Sequence, residues 1–219
     1  MMIDLDSRRI AGFIATAVTG AAMVVAPAVS APIARAQGCP DIEVTFARGT
    51  DEPSGLGRVG GAFVDSLKGR VGGRSVGSYA VNYPASFDFL QVAAGANDAS
   101  DHIQYMMANC PNTRLVLGGY SQGAAVIDVI AAVPVPGAGF TAPLPPNAPD
   151  HVAAIAVFGN PSAKIGLPLT SSPVWGARSI DLCTPNDPVC SGGDDIPAHS
   201  NYGPSGLTSQ AAAFVAGLL

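Results

Sequence analysis

One short segment constrains the fold more than any other part of the chain. Residues Leu115–Leu117 are apolar and typical of a buried strand, and the apolar residues of Gln122–Val133 are typical of a helix. Between them runs Gly119-Tyr120-Ser121-Gln122-Gly123. A Gly-x-Ser-x-Gly sequence in this setting predicts a sharp strand-to-helix turn, in which the glycines permit close approach and the serine hydroxyl stands above the sheet. A serine that only caps the helix is the alternative.

Strand-like and helix-like segments alternate along the rest of the chain. This alternation predicts a mostly parallel, five-stranded sheet covered by helices on both faces, within one domain. The segment Pro134–Pro149 holds six prolines and two glycines, so we interpret it as a surface excursion between a helix and a strand. The predicted strands are Ile42–Phe46, Val76–Val81, Leu115–Leu117, Val152–Phe158 and Ser179–Leu182, and the predicted helices are Leu56–Lys68, Gly95–Asn109, Gln122–Val133 and Ser209–Leu219.

Composition is that of an ordinary folded protein. Of the 219 residues, 48% are apolar and 12% are charged, and the formal net charge is −5. The low charge and high apolar content argue against disorder, while the acidic balance argues against binding the phosphate backbone of nucleic acids. We therefore expect no nucleic-acid partner.

The first 36 residues have the pattern of a secretory signal peptide. Arg8 and Arg9 precede an uncharged run, Ile10–Ile33, which ends at the cleavage-like triplet Ala34-Arg35-Ala36. An uncleaved amino-terminal anchor is the alternative, since Ile10–Val29 is nearly long enough to span a bilayer. The arginine pair leaves the export route open. We expect a mature domain of residues 37–219 that is secreted, with retention at the cell envelope left open and no membrane span after signal removal.

All four cysteines lie beyond this signal, and an even number in an exported chain indicates two disulfides. Three pairings are possible. Cys183 and Cys190 enclose six residues of turn-forming composition, which favours joining these two and leaves Cys39 with Cys110. A zinc site is the rival interpretation, but the sequence has neither a CxxC nor a CxH pattern. We expect no metal site.

A serine hydroxyl is a weak nucleophile at neutral pH, so a reactive Ser121 requires a histidine base and an acid that orients it. Three histidines are available. His102 lies in a predicted helix among acidic residues, which indicates a solvated side chain, and His151 lies just ahead of a strand, which indicates a surface turn. His199 lies after the last strand and before the final helix, where a base would complete the chain order serine, acid, histidine. An ordinary loop histidine is the alternative for His199.

Six aspartates lie between Ser121 and His199. Asp128 lies one helical repeat after Ser121 in the predicted helix, so its side chain cannot reach back to the histidine that would act on Ser121. Asp187 lies inside the predicted Cys183–Cys190 ring, which would clamp its carboxylate, although an Asn-Asp turn between prolines is an alternative role. Spacing leaves Asp181 as the main competitor. The candidates are Asp128, Asp150, Asp181, Asp187, Asp194 and Asp195, of which the last two are typical of a solvated loop.

Taken together, these motifs resemble the cutinases, particularly the cutinase-like proteins of mycobacteria and related actinobacteria. The resemblance extends from Cys39 to the last helix. It is carried by Ala47-Arg48-Gly49-Thr50-Asp51-Glu52 after the first strand, by Gly118-Gly119-Tyr120-Ser121-Gln122-Gly123, by Cys183 through Asp187-Pro188-Val189-Cys190, and by His199 followed by Tyr202-Gly203.

The resemblance implies a minimal α/β-hydrolase, a three-layer sandwich without a large lid. It implies that Ser121, Asp187 and His199 form a catalytic triad, that Cys39 pairs with Cys110, and that Cys183 pairs with Cys190. It also implies an oxyanion site at Thr50 and Gln122, in agreement with the backbone N–H donors that such chemistry needs. No metal or organic cofactor is needed.

The expected activity is hydrolysis of short- to medium-chain carboxylic esters or lipids through an acyl-enzyme, by a protein that we expect to be a monomer. Related cutinases use an exposed apolar cleft, whereas this chain places Asp194-Asp195 beside Ile196-Pro197 just ahead of the base, which argues against cutin as substrate. An acyltransferase or phospholipase with the same triad is one alternative. A secreted envelope or binding protein that has lost activity is another.

Overall fold

The computed structural model describes residues 38–219. The signal peptide predicted for residues 1–36 lies outside the described residues. Within the described part of the chain, no helix is both long enough and apolar enough to cross a membrane.

Within residues 38–219, five parallel strands form one sheet. Along the chain they are β1 (Ile42–Ala47), β2 (Val76–Ala80), β3 (Arg114–Tyr120), β4 (Val152–Phe158) and β5 (Ser179–Leu182). Across the sheet their order is β2-β1-β3-β4-β5. This confirms the parallel sheet predicted from the alternation of elements. The middle strand, β3, continues through Gly118 and Gly119 to Tyr120, beyond its predicted end, because these residues pair with β4 and the two glycines also pair with β1.

Helices cover both faces of this sheet. In the described part of the chain four of them are long, and their predicted ends differ from the observed ones by no more than three residues. Helix α2 (Val92–Asn109) begins three residues before its predicted start, because a 3₁₀ turn at Phe89–Gln91 leads directly into it. The helices are α1 (Gly57–Lys68), α2 (Val92–Asn109), α3 (Gln122–Ala132), α4 (Ala148–His151), α5 (Pro161–Lys164) and α6 (Leu207–Ala216).

Side chains that alternate along the strands create two separate cores. Leu115, Leu117 and Ile155 point to the face covered by α2 and α3. Val116 and Phe158 point to the other face, covered by α1 and α6. Because both faces are buried, the central strands are apolar throughout, as parallel strands in such layers are. The expected three-layer arrangement is confirmed.

The proline-rich excursion Pro134–Pro149 follows α3 at the surface, as predicted, but its last two residues, Ala148 and Pro149, already belong to α4, the short helix that leads into β4. It is attached to the core by Phe140, whose side chain is buried against the α2 and α3 face. Backbone hydrogen bonds between Gly137 and Phe140 close a small turn within it. Among the described residues, neither this excursion nor any other segment forms a large lid.

Candidate active site

Ser121 occupies a strained turn between β3 and α3. Its φ of 55° lies in the left-handed region, which residues with a side chain rarely adopt. Its amide donates to the carbonyl of Phe158 at 2.8 Å. A Cβ at Gly119 would lie 2.2 Å from the carbonyl oxygen of Gly123, and a Cβ at Gly123 would lie 1.9 Å from that of Ala47. The turn therefore requires both glycines of the Gly-x-Ser-x-Gly sequence.

Hydrogen bonds connect Ser121, His199 and Asp187 in a chain. Ser121 Oγ lies 2.8 Å from Nε2 of His199, and Nδ1 of the same ring lies 2.8 Å from Oδ2 of Asp187. His199 belongs to a 3₁₀ turn, Ile196–Ser200, and Asp187 belongs to the loop after β5. With the Nδ1 proton donated to the carboxylate, Nε2 is left to accept from the serine hydroxyl. The structure thus brings together the three residues singled out in the sequence.

The carboxylate of Asp187 is fully buried and is held from several sides. The amide of Val189 donates to its Oδ1 at 2.8 Å, and the hydroxyl of Tyr202 donates to its Oδ2. The loop that carries it is closed by a disulfide between Cys183 and Cys190. A buried charge needs such partners, because an unpaired carboxylate in the protein interior is strongly unfavourable.

The second disulfide joins Cys39, just ahead of β1, to Cys110 at the end of α2. Both pairings are those expected from the sequence. Sγ atoms of Cys183 and Cys190 and a carboxylate oxygen of Asp187 lie within 4.8 Å of one another. Because these two sulfurs are bonded to each other, they are not thiolate ligands for a metal ion.

Three further residues support the histidine, and the sequence pattern alone predicts no such role for any of them. The hydroxyl of Tyr120 donates to the backbone carbonyl of His199 at 2.6 Å. Gly159, with a φ of 58°, follows β4 where a Cβ would lie 2.8 Å from Cε1 of His199. Tyr202 is fully buried and lies beside both Tyr120 and Gly159. The available signals were the position of Tyr120 within the serine motif, a glycine directly after an apolar strand, and the Tyr202-Gly203 pair after His199.

Thr50 and Gln122 lie on adjoining segments at the carboxyl end of the sheet. The amide of Asp51 donates to the carbonyl of Ala85 at 2.6 Å, and the side chain of Gln122 donates to the next carbonyl, that of Ser86, at 2.9 Å. The amide of Gln122 belongs to the first turn of α3, where intrahelical bonds leave N–H groups unpaired. The segments that carry the two predicted donors, Thr50 and Gln122, are therefore both hydrogen-bonded to the same dipeptide, Ala85-Ser86.

Buried polar contacts hold the loop that carries Thr50. The guanidinium of Arg48 donates to the carbonyls of Glu52 at 2.8 Å and Tyr83 at 2.7 Å. The carboxylate of Glu52 accepts in turn from the amide of Gly49 at 2.8 Å. These bonds fix the backbone on both sides of Thr50, as a preorganised donor site requires.

The prediction that His102 is solvated is wrong. Its Nε2 lies 2.6 Å from Oε1 of Glu43, and its ring stacks on Tyr79 at a centroid distance of 3.5 Å. The acidic neighbours along α2 suggested an exposed face, but side chains of β1 and β2 cover it. His151 ends α4 at the amino end of β4, about 20 Å from the carboxyl end of the strand.

The other aspartates lie in different surroundings. Asp181 accepts from the side chain of Asn160 at 2.9 Å and from the amide of Leu169 at 3.0 Å, and Asn160 also donates to Asp128 at 3.3 Å. Burial raises the pKa of Asp128 to about 6 and also raises the pKa of Asp181. Asp150, Asp194 and Asp195 are exposed, the last two as expected.

Comparisons with known proteins agree with this geometry. Residues 38–219 match the family model described as Cutinase. The chain is 56% identical over 211 residues to "Phospholipase Culp4" of Mycobacterium tuberculosis, covering 96% of this chain and 92% of that protein. It is 52% identical over 209 residues to "Carboxylesterase Culp1" of Mycobacterium bovis, covering 92% and 91%.

Solved structures show the same architecture. The Trichoderma reesei cutinase in complex with a phosphonate inhibitor is 34% identical, with a TM-score of 0.67 over 82% of this chain and 77% of that one. An acetylxylan esterase is 27% identical, with a TM-score of 0.69 over 82% and 99%. The fold is that of a minimal α/β-hydrolase. The chain belongs to the cutinase family of carboxylic ester hydrolases.

Proposed function

We propose that this protein is a secreted serine esterase that hydrolyses short- to medium-chain carboxylic esters through an acyl-enzyme on Ser121. The observation that carries the proposal is the chain of 2.8 Å hydrogen bonds from Ser121 Oγ through His199 to the buried Asp187. Nucleophile, base and orienting acid are in the order that acyl transfer requires.

In the first half of the reaction, Ser121 Oγ attacks the ester carbonyl carbon while Nε2 of His199 takes the hydroxyl proton. Asp187 stabilises the imidazolium that forms. Collapse of the tetrahedral intermediate breaks the carbon–oxygen bond of the ester, and His199 returns its proton to the departing alkoxide. An alcohol leaves and the acyl group stays on Ser121.

In the second half, water takes the place of the alcohol. His199 accepts a proton from the water as its oxygen attacks the acyl-enzyme, and then returns a proton to Ser121 Oγ as the carboxylic acid is released. We assign stabilisation of both oxyanions to the backbone N–H groups of Thr50 and Gln122. The hydrogen bonds that hold Arg48, Gly49 and Gln122 in place support this assignment.

Secretion belongs to the same proposal. We assign residues 1–36 to a removed signal peptide and residues 37–219 to the mature enzyme. Two disulfides in the described chain are consistent with an extracellular protein, because such bonds persist in oxidising compartments. Mass spectrometry of the protein recovered from the culture medium of a producing strain tests the assignment, with an amino terminus near Gln37 as the expected result.

The deciding experiment measures hydrolysis of p-nitrophenyl esters by the wild type and by Ser121→Ala. We expect the variant to lose about 10⁴- to 10⁶-fold in turnover. The exposed serine in Ser54→Ala serves as the control and should leave the rate unchanged. A fluorophosphonate should modify the wild type at Ser121, as located by peptide mass spectrometry. Equal rates for wild type and Ser121→Ala, or no adduct at Ser121, would remove the proposal.

Phospholipid hydrolysis is the second candidate function, favoured by the 56% identity to a protein named a phospholipase. The same triad chemistry applies: a glycerophospholipid is the substrate, one of its acyl groups is transferred to Ser121, and the lysophospholipid is the alcohol that leaves. Release of fatty acid from phosphatidylcholine by wild type but not by Ser121→Ala would support it. Transfer of the acyl group to an added acceptor alcohol, measured in the same assay, would instead identify an acyltransferase.

A further inference from the structure

A long apolar groove runs along the side of the molecule between α2 and α3. Its volume is about 470 Å³, within the range of ligand sites in proteins. It is lined on three sides: by Val129 of α3 and Val133 directly after α3, which we call its floor, by Phe89, Leu90 and Ala93, which we call one wall, and by the excursion residues 135–138 with Phe140, which we call the other. We call it the α2–α3 groove.

Every residue that lines the groove has an apolar side chain or, at Gly137, none. Phe89, Leu90 and Val135 at its rim are 62%, 85% and 62% exposed, which is unusual for large apolar side chains that lie close together. A lining of this kind gains free energy only when it removes apolar ligand surface from water, so it excludes sugars and charged ligands.

Polar contacts outside the groove hold its two walls in place. Asn97 of α2 donates from its side chain to the carbonyl of Gly139 at 2.9 Å and accepts from the amide of Thr141 at 2.7 Å. On the other side, the carboxylate of Asp88 accepts from the amide of Leu90 at 3.2 Å and from the side chain of Gln91 at 3.1 Å. Both walls of the groove are therefore held by hydrogen bonds within the fold.

The groove wall is connected to the proposed active site through Ser86. Its carbonyl accepts a hydrogen bond from the side chain of Gln122, the residue after the nucleophile. Phe89 follows three residues later, a span of no more than about 10 Å of chain. The same short segment therefore borders the reacting centre at one end and the groove at the other.

Helix α3 sets the distance from the nucleophile to the groove floor. Val129 and Val133 lie eight and twelve residues after Ser121, or about 12 and 18 Å along the helix axis. Carbon–carbon bonds of about 1.5 Å advance an extended acyl chain by about 1.3 Å per carbon, so roughly ten carbons reach Val129 and roughly fourteen reach Val133. Shorter acyl chains end before the groove floor.

We propose that the α2–α3 groove binds the distal part of a long acyl chain whose ester carbonyl lies at Ser121. The inference rests on the proposed function and extends its substrate class from short- and medium-chain esters to esters of long-chain fatty acids. The first carbons of the chain pass the Ser86–Phe89 segment, and the carbons beyond about the tenth lie against Val129 and Val133.

The test compares kcat/KM for p-nitrophenyl butyrate and p-nitrophenyl hexadecanoate, each kept below its aggregation limit. Val133→Trp fills the groove, and Leu90→Asp places a charge at its exposed rim. Both variants should lower the ratio of hexadecanoate to butyrate activity by about ten-fold or more, because the chain end loses its apolar contacts. Butyrate hydrolysis should stay within about two-fold of the wild type.

Leu167→Asp provides the matched control. Leu167 is 63% exposed on a different cleft, beside α5, so the substitution makes the same chemical change away from the α2–α3 groove. Its activity ratio should equal that of the wild type. An unchanged ratio in Leu90→Asp, or an equal fall in Leu167→Asp, would overturn the groove assignment while leaving the esterase proposal intact. Loss of the proposed function itself would show instead as butyrate hydrolysis that survives Ser121→Ala.

Discussion

The hydroxyl of Tyr202 donates a hydrogen bond to Oδ2 of Asp187, the carboxylate oxygen that also contacts His199. Burial, together with the hydrogen bond to Asp187, raises the pKa of Tyr202 above its usual range. The phenol therefore keeps its proton throughout the pH range of an esterase. It withdraws part of the negative charge that would otherwise stabilise an imidazolium at His199.

Tyr202→Phe should move the acid limb of the kcat/KM profile to higher pH by about half a unit to one unit. Without the hydroxyl, more of the carboxylate charge acts on the protonated ring, so the inactive form of the base persists to higher pH. Stopped assays with a short-chain ester between pH 4 and 9 give the profile. A role in packing alone would lower the rate equally at every pH.

The control for this experiment is Tyr120→Phe, which removes another hydroxyl from the same cluster. That hydroxyl donates to the backbone carbonyl of His199 rather than to a carboxylate. We expect a lower rate with the acid limb in its original position. If the acid limb shifted equally in both variants, the claim that Tyr202 acts on His199 through Asp187 would be wrong.

Asp187→Asn should lower kcat by about 10⁴-fold, because an amide cannot hold the histidine in the required tautomer. The matched variant is Asp181→Asn, because Asp181 is the aspartate that competes with Asp187 for the role of acid when only sequence spacing is considered. Asp181 contacts Asn160 and Leu169, so its replacement should change kcat by only a few-fold. Steady-state rates for the two purified variants decide the question, and the reverse order would transfer the acid role to Asp181.

Features that depend on local backbone could be predicted from the sequence. The turn at Ser121 can be predicted because it requires Gly119 and Gly123, at which no side chain would fit. The approximate ends of strands and helices can be predicted from the periodicity of apolar residues. Asp187 was one of six candidates by spacing. Only the fold closes the distance between the loop after β5 and His199, so residue reasoning alone could not select it.

What could not be predicted depends on contacts between distant segments. The acidic neighbours of His102 on α2 indicate a solvated side chain, but Glu43 of β1 and Tyr79 of β2 cover it. Tyr202 contacts Asp187 across fifteen residues. The α2–α3 groove likewise requires that an excursion rich in proline and glycine be attached to α2 by Asn97. Contacts of this kind cannot be predicted from the periodicity of the sequence.

The two disulfides should differ in their effects on stability and activity. Replacing Cys39 and Cys110 by serine opens a 71-residue separation and should lower the free energy of unfolding by about 4 kcal/mol, with kcat almost unchanged. Replacing Cys183 and Cys190 opens a 7-residue separation and should cost about 2.5 kcal/mol. Because that ring carries Asp187, kcat should fall at least ten-fold.

Urea unfolding and initial rates at 25 °C measure the two quantities for each double variant. The Cys39–Cys110 bond lies at the amino end of β1, whereas Ser121 lies at the carboxyl end of β3. A loss of activity in the first variant that matches the second would contradict this separation of roles.

Asp128 and Asp181 both accept from Asn160 and have one buried oxygen each, Oδ2 and Oδ1 respectively, without a hydrogen-bond partner in the described part of the chain. Burial is the main reason why the pKa of Asp128 rises from 3.8 to about 6. The folded protein therefore binds this proton more tightly than the unfolded chain does. This contribution to stability is fully present below about pH 3.8 and is lost as the pH rises through about 6.

Asp128→Asn should remove that dependence on pH. An amide does not ionise, so relative to the wild type the variant should gain about 1 to 3 kcal/mol in the free energy of unfolding between pH 4 and pH 7. Urea titrations at half-unit steps of pH give the two curves, and Asp195→Asn, at an exposed position, should run parallel to the wild type. Parallel curves for Asp128→Asn and wild type would mean that the proton is not bound at Asp128. Because Asp128 lies outside the hydrogen-bond chain from Ser121 to Asp187, its replacement should change the stability of the protein and leave the short-chain esterase rate within about two-fold.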